Sequence, residues 1–190
     1  MKNFVHAILV LLMISCGSKP EVIDDFGDAS FHLVDQDSNA VVFPDDFEGD
    51  YVVIGFIYTN CPDICGMITQ NLGAIQKELN YPEDMKFVAM TFDPERDSPS
   101  VLKAYAKPFG LDEDMTFLTG DTTQVFTMLD SARVRTQVSL RRTTDSGKEL
   151  YFYNHSDKIM VLNKDAEIVL EYGGSMTKPK MIAEDIRKIR

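Results

Sequence analysis

Tyr51-Val52-Val53-Ile54-Gly55-Phe56-Ile57-Tyr58-Thr59-Asn60-Cys61-Pro62-Asp63-Ile64-Cys65 joins the two patterns that decide the fold. Its first eight residues are almost wholly apolar and rich in β-branched and aromatic side chains, the pattern of a central strand buried on both faces, as parallel sheets require. After Cys61 the period changes. Apolar residues recur at Ile64, Met67, Ile68, Leu72, Ile75 and Leu79, which predicts a helix running to about Leu79. Pro62 suits a first helical turn, and Asp63 complements the positive end of the helix dipole.

Outward from this junction the same alternation of periods continues. Phe31–Val34 and Ala40–Phe43 flank a polar turn and predict an N-terminal β-hairpin. Lys86–Phe92 reads as a second strand, followed by Asp93-Pro94-Glu95-Arg96-Asp97 and by Ser98-Pro99 as the cap and first turn of a helix to Phe109. Asp121 predicts the cap of a helix to about Leu129. Arg135–Leu140 with Leu150–Tyr153, and Ile159–Leu162 with Glu167–Tyr172, read as two hairpins, and Thr177–Ile189 as a final helix. This order predicts an α/β protein with a sheet covered by helices on both faces.

Composition narrows the function. A chain of 190 residues with 44% hydrophobic and 26% charged residues can bury the core of one domain, which excludes wholesale disorder. The net charge of −11 lacks the basic footprint that phosphate backbones require, so nucleic acid is excluded as a partner. Three cysteines, Cys16, Cys61 and Cys65, leave an odd count to be divided.

The N-terminus accounts for one of them. Lys2 precedes an apolar run, Phe4–Ile14, that is short for a membrane span. Leu12-Met13-Ile14-Ser15-Cys16-Gly17 then resembles a bacterial lipoprotein signal, with Met13 where Leu is usual; the alternatives are an ordinary secretory signal or a membrane anchor. The expected organisation is a signal peptide over 1–15, a lipidated Cys16 with a tether over 16–27, and a folded domain over 28–190. Acyl chains on Cys16 would hold an exported domain at a bacterial membrane, facing the periplasm or the cell exterior.

Cys61 and Cys65 remain. Residues four apart at a helix start share a face, and free N–H groups there favour thiolates, so both cysteines are expected to deprotonate easily. Such a pair either closes a reversible disulfide or clamps a soft metal ion. Structural burial as small hydrophobes is the bland alternative.

Three blocks, Phe56–Cys65, Thr91–Pro99 and Asn154-His155-Ser156, resemble the signatures of the Sco (SenC) proteins, over nearly the whole stretch from Phe31 to Arg190. The resemblance implies a thioredoxin-like fold, copper as cargo with Cys61, Cys65 and His155 as its ligands, and a role in assembling the copper centre of cytochrome c oxidase. It implies as partners the copper-bearing oxidase subunit and a copper donor protein. Two positions depart from the family pattern: Gly66 stands where proline is usual, and Asn154 where aspartate is usual. Asp93 and Asn154 are candidates to support the ligands from behind, and the Asp93–Asp97 cluster is either an acidic lip at the metal or a loop that starts the next helix. Met67 and Met160 fall on apolar positions and are expected in the core, and His32 on a strand surface. The competing function is a thiol-disulfide oxidoreductase using Cys61 and Cys65 as its redox pair, with a peroxide-reducing relative further behind. Three residues between the cysteines, rather than two, and a histidine where such enzymes carry a proline both favour metal.

Overall fold

The computed structural model describes residues 20–190 except 112 and 148; the expected signal peptide and Cys16 lie outside the described residues. The chain runs through β1 (Asp24–Asp25), β2 (Phe31–Asp35), β3 (Ala40–Phe43), β4 (Tyr51–Ile57), α1 (Cys65–Glu78), β5 (Met85–Thr91), α2 (Pro99–Ala106), β6 (Thr116–Thr119), α3 (Thr122–Ser131), β7 (Thr136–Thr143), β8 (Glu149–His155), β9 (Ile159–Leu162), β10 (Glu167–Tyr172) and α4 (Pro179–Ile189). Eight strands form one mixed sheet in the order β1-β10-β9-β4-β5-β6-β2-β3, and β7 with β8 forms a separate two-stranded sheet.

All seven residues of β4 are buried, as its apolar run predicts. It pairs in parallel with β5 and antiparallel with β9, and β5 continues in parallel to β6. The β4–β5 register runs from Tyr51 opposite Met85 to Ile57 opposite Thr91, so both strands end at the same level. The loops that follow them are therefore neighbours, although more than 30 residues apart in sequence. β5-β4-β9-β10 with α1 and α4 makes the thioredoxin-like core, and the predicted β2–β3 hairpin extends the sheet beyond β6.

Helix α1 sits close on β4 because Gly55 has no side chain. A Cβ there would stand 2.9 Å from the Ile68 side chain and 3.0 Å from Leu72. Packing of α4 against α1, and a hydroxyl contact of 3.0 Å between Thr69 of α1 and Tyr105 of α2, gather these helices on one face. Helix α3 packs against β2, and its Phe126, Leu129 and Asp130 border a cleft shared with the β7–β8 hairpin. Fully burying side chains such as Ile54, Phe56 or Phe92 contributes about 1.5–3 kcal/mol each.

Several boundaries differ from the sequence expectation. Residues from Ile23 belong to the folded body rather than to a tether over 16–27: the Ile23 N–H donates to the Ile168 carbonyl at 2.8 Å, β1 pairs with β10, and Phe26 packs edge-on against Phe31 and Phe43. Strand β6 is short and shows no alternation, which hid it. Asp121 caps α3 as expected, accepting from the Gln124 N–H at 3.0 Å. Met160 is fully buried, but Met67 is 40% exposed, because it falls on the outer flank of α1's apolar stripe. His32 is exposed on β2. Among the described residues no helix is long and apolar enough to cross a membrane.

Candidate metal centre

The site forms where β4 ends, and its local geometry departs from a helical pair of cysteines. Helix α1 begins at Cys65, not near Cys61, so Pro62 and Asp63 lie in a turn ahead of it. The Cys61 N–H donates to the Tyr58 carbonyl at 3.3 Å, folding the chain back before the helix starts. Cys65 is thereby the first helical residue, 1% exposed, and its sulfur accepts the Tyr58 N–H at 3.4 Å. Cys61 is half-buried on the loop above it. Both are free thiols.

This asymmetry divides their chemistry. Hydrogen bonding from the Cys65 thiol stabilises a Cys61 thiolate, and against the opposing cost of burial the His155 side chain and the free N–H groups of Cys65 and Asp63 add to it, lowering the Cys61 pKa to about 3. The same hydrogen bond to Cys61, together with burial, pushes the Cys65 thiol well up. The expectation that both cysteines deprotonate easily is kept for Cys61 and corrected for Cys65, whose buried thiol is pushed the other way. Free helix N–H groups do act, but on the cysteine outside the helix.

His155 comes from the far end of β8. Its Nε2 stands 3.7 Å from the Cys65 sulfur, and its Nδ1 lies 2.9 Å from the Ser156 carbonyl. A carbonyl only accepts, so Nδ1 donates to it and Nε2 faces the two sulfurs, donating to the Cys61 thiolate when the ring is protonated and offering its lone pair to a metal when it is neutral. The imidazole is boxed by Phe92, with ring centroids 4.6 Å apart, and by Tyr58 at 5.9 Å. Burial pulls its pKa down, but hydrogen bonding to Cys61 and to the Ser156 carbonyl outweighs burial, leaving it above the ordinary value. One ligand-type atom from each of Cys61, Cys65 and His155 lies within 4.8 Å of the others. An open cleft of about 310 Å³ reaches Cys61 and His155 between Tyr58, Pro62, Ile64 and Tyr153, with Cys65 buried beneath it.

The candidates for indirect support fare differently. Asn154 is exposed and lines the cleft beside His155, and the imidazole Nδ1 is held by the Ser156 carbonyl. Asp93 is fully buried and forms no acidic lip. It pairs with Arg96 and accepts the Tyr151 hydroxyl at 3.0 Å. Sequence reasoning weighed Asp97 only as part of the Asp93–Asp97 cluster and gave no role to Thr59, Tyr58, Tyr151 or Tyr153 around the site. The spacing of Tyr151, Tyr153 and His155, two apart on one strand, was the available signal that they share a face.

A thioredoxin-like domain that gathers two thiols and an imidazole at the end of its central strand is a soft-metal-binding protein by its donor set. The chain belongs to the SCO1/SenC family, whose model matches residues 23–190. It is 30% identical over 165 residues to the human protein SCO2 homolog, mitochondrial, covering 85% of this chain and 59% of that protein, so it spans less than two thirds of that relative's length. It is also similar to yeast Sco1 with copper bound, with 28% identity, a TM-score of 0.72, and coverage of 84% of this chain and 86% of that one. A SCO1/SenC family lipoprotein from Bacillus anthracis shares the fold at 24% identity and a TM-score of 0.70, covering 90% and 98% of the two chains.

Proposed function

We propose that this chain is a membrane-anchored copper metallochaperone that carries Cu(I) or Cu(II) on Cys61, Cys65 and His155. The supporting observation is the convergence of these three donor atoms within 4.8 Å. Two thiolates suit Cu(I), and an imidazole is acceptable to both oxidation states. Three donors beside an open cleft hold a cargo ion that can be released; a closed four-ligand cage would retain it. Copper comes from a donor protein and goes to the copper-bearing subunit of cytochrome c oxidase, by membership of the family. The fit of the residues supports copper, and its chemistry here is that of cargo.

A lipid on Cys16 anchors the domain to a bacterial membrane, facing the periplasm or the cell exterior. Similarity to a Bacillus lipoprotein supports this. So does the exit point of the chain: Pro20 and Val22 lie beside Tyr51 and Ile189, at the end of β4 opposite the cysteines. The metal centre would then face away from the membrane. Mass spectrometry of the mature protein checks the anchor; an N-terminus other than an acylated Cys16 would refute it.

The ligand assignment is tested by copper stoichiometry under reducing conditions. One copper per wild-type chain and none in Cys61→Ser is expected; undiminished Cu(I) and Cu(II) affinity in both Cys61→Ser and His155→Ala would sink it. The low pKa of Cys61 also favours a second reading, a thiol-disulfide reductase. In that reaction Cys61 and Cys65 oxidise to a disulfide while a partner's disulfide gains two electrons and two protons. Disulfide reduction in the oxidase copper-bearing domain by copper-free protein, with no metal transfer from loaded protein, would reverse the ranking.

A further inference from the structure

The turn between β5 and α2 reaches both halves of the metal centre without contributing an atom to it. At one end Asp97 is 0% exposed and accepts three hydrogen bonds: from the Thr59 N–H at 3.0 Å, the Thr59 hydroxyl at 2.5 Å and the Thr91 hydroxyl at 2.6 Å. Among the described residues no cation pairs with it. Thr59 lies two residues before Cys61, on the segment that folds back through the Tyr58 carbonyl.

At the other end Asp93, also 0% exposed, is ion-paired with Arg96 and accepts the Tyr151 hydroxyl. Arg96 continues the connection. Its Nη1 donates to the Tyr151 carbonyl at 3.0 Å, and its guanidinium stacks 3.5 Å from the centre of the Tyr151 ring. Tyr151 sits four residues before His155 on the same strand and the same face. The two ends are held together within the turn, where the Asp97 N–H donates to the Asp93 carbonyl at 2.9 Å.

Burying two carboxylates is costly unless each is fully matched by donors. A loop that only started α2 would need neither, and the residue at the helix cap, Ser98, makes no side-chain cap bond. We propose that the Asp93–Asp97 turn is a bracket that sets the spacing between the cysteine loop and His155, Asp97 holding Thr59 while Asp93 and Arg96 hold Tyr151. This rests on the copper reading of the trio. The bracket matters unequally for the two oxidation states. Cu(I) is satisfied by two thiolates that come from one short segment, whereas Cu(II) calls on the imidazole from a separate strand. Asp97, Thr59 and Tyr151 are positioning residues for Cu(II).

The test uses Asp97→Asn, Thr59→Val and Tyr151→Phe in the reduced protein, titrated with Cu(I) and Cu(II) in parallel. Tyr151→Phe deletes one hydroxyl and keeps the ring under Arg96; Thr59→Val leaves the Asp97 carboxylate two of its donors and serves if Asp97→Asn does not fold. Cu(II) affinity is expected to fall on the order of 10- to 100-fold, the scale for residues that orient metal ligands. The thiolate-to-Cu(II) charge-transfer band shifts with it, Cu(I) affinity stays within about threefold of wild type on the same reasoning, and Thr59→Ser restores the wild-type spectrum. Folded variants with wild-type Cu(II) affinity and spectrum would overturn the bracket, as would an equal loss of Cu(I) and Cu(II). Wild-type protein that binds neither ion would instead overturn the ligand assignment, and the bracket with it.

Discussion

The cysteine segment and the histidine hairpin approach the same point from opposite kinds of structure. Cys61 and Cys65 leave a strand buried along its whole length and enter a helix packed on Gly55, so their support is the core of the domain. His155 ends a hairpin outside the main sheet, whose β7 strand is exposed over nearly its whole length, with Leu140 54% exposed. Cys65 is therefore fixed by packing and Cys61 by the short turn that leads into the same helix, whereas the imidazole rests on a few discrete contacts: the Ser156 carbonyl, the Phe92 ring and the Tyr151 connection. A metal that needs only sulfur depends on the first region. One that needs nitrogen depends on both.

That contrast orders what substitutions should do. The largest effect is expected at the core side: Cys61→Ser or Cys65→Ser removes one of two soft donors, and copper retention under competition should drop by on the order of a thousandfold or more, near 4 kcal/mol. His155→Ala should spare Cu(I) within about tenfold while lowering Cu(II) affinity by about a hundredfold; equal losses for both ions would erase the distinction between the regions. Gly55→Ala should destabilise folding by about 1–3 kcal/mol, since the new methyl must displace Ile68 and Leu72, and chemical denaturation reads this directly. Leu140→Ala on the hairpin should change stability by less than about 0.5 kcal/mol. A hairpin substitution as costly as the glycine one would show that β7 is not peripheral.

Protonation sharpens the same comparison. With its pKa lowered to about 3, Cys61 is a thiolate across the neutral and mildly acidic range and should alkylate with iodoacetamide at pH 5 about as fast as at pH 7. Cys65, whose proton is held by Cys61 and by burial, should resist. The His155 pKa is raised, so protons compete with metal from a higher pH than for an ordinary histidine: Cu(II) affinity should fall as pH drops through that value, with Cu(I) less affected. Pulse alkylation with peptide mapping and pH-resolved titration measure the two.

The core side was also the more legible region in the sequence. The apolar run of β4, the period of α1 and the capping by Asp121 are local signals, and each fell within a few residues of the observed element. The start of α1 was misplaced because Pro62 fits a first helical turn, while the backbone bond from Cys61 to Tyr58 holds the chain in a turn until Cys65. Sequence spacing placed Cys61 and Cys65 together but could not say which points inward, and burial is what separates their acidities. His155 was visible only through the family's three blocks, since a lone histidine before a strand has no period to mark it. The role of Asp97 was invisible for a related reason, although its cluster was noticed. Its partner Thr59 lies 38 positions away, and only the parallel β4–β5 register brings the two loops side by side.

The central claim, that copper is held by two sulfurs from the core and one nitrogen from the hairpin, is met most directly by X-ray absorption on copper-loaded protein with and without His155. In the wild-type Cu(II) form two sulfurs and an imidazole nitrogen from His155 are expected at the metal, and in His155→Ala that nitrogen should disappear while both sulfurs remain. An unchanged imidazole signal in His155→Ala, or a single sulfur in the wild type, would contradict it.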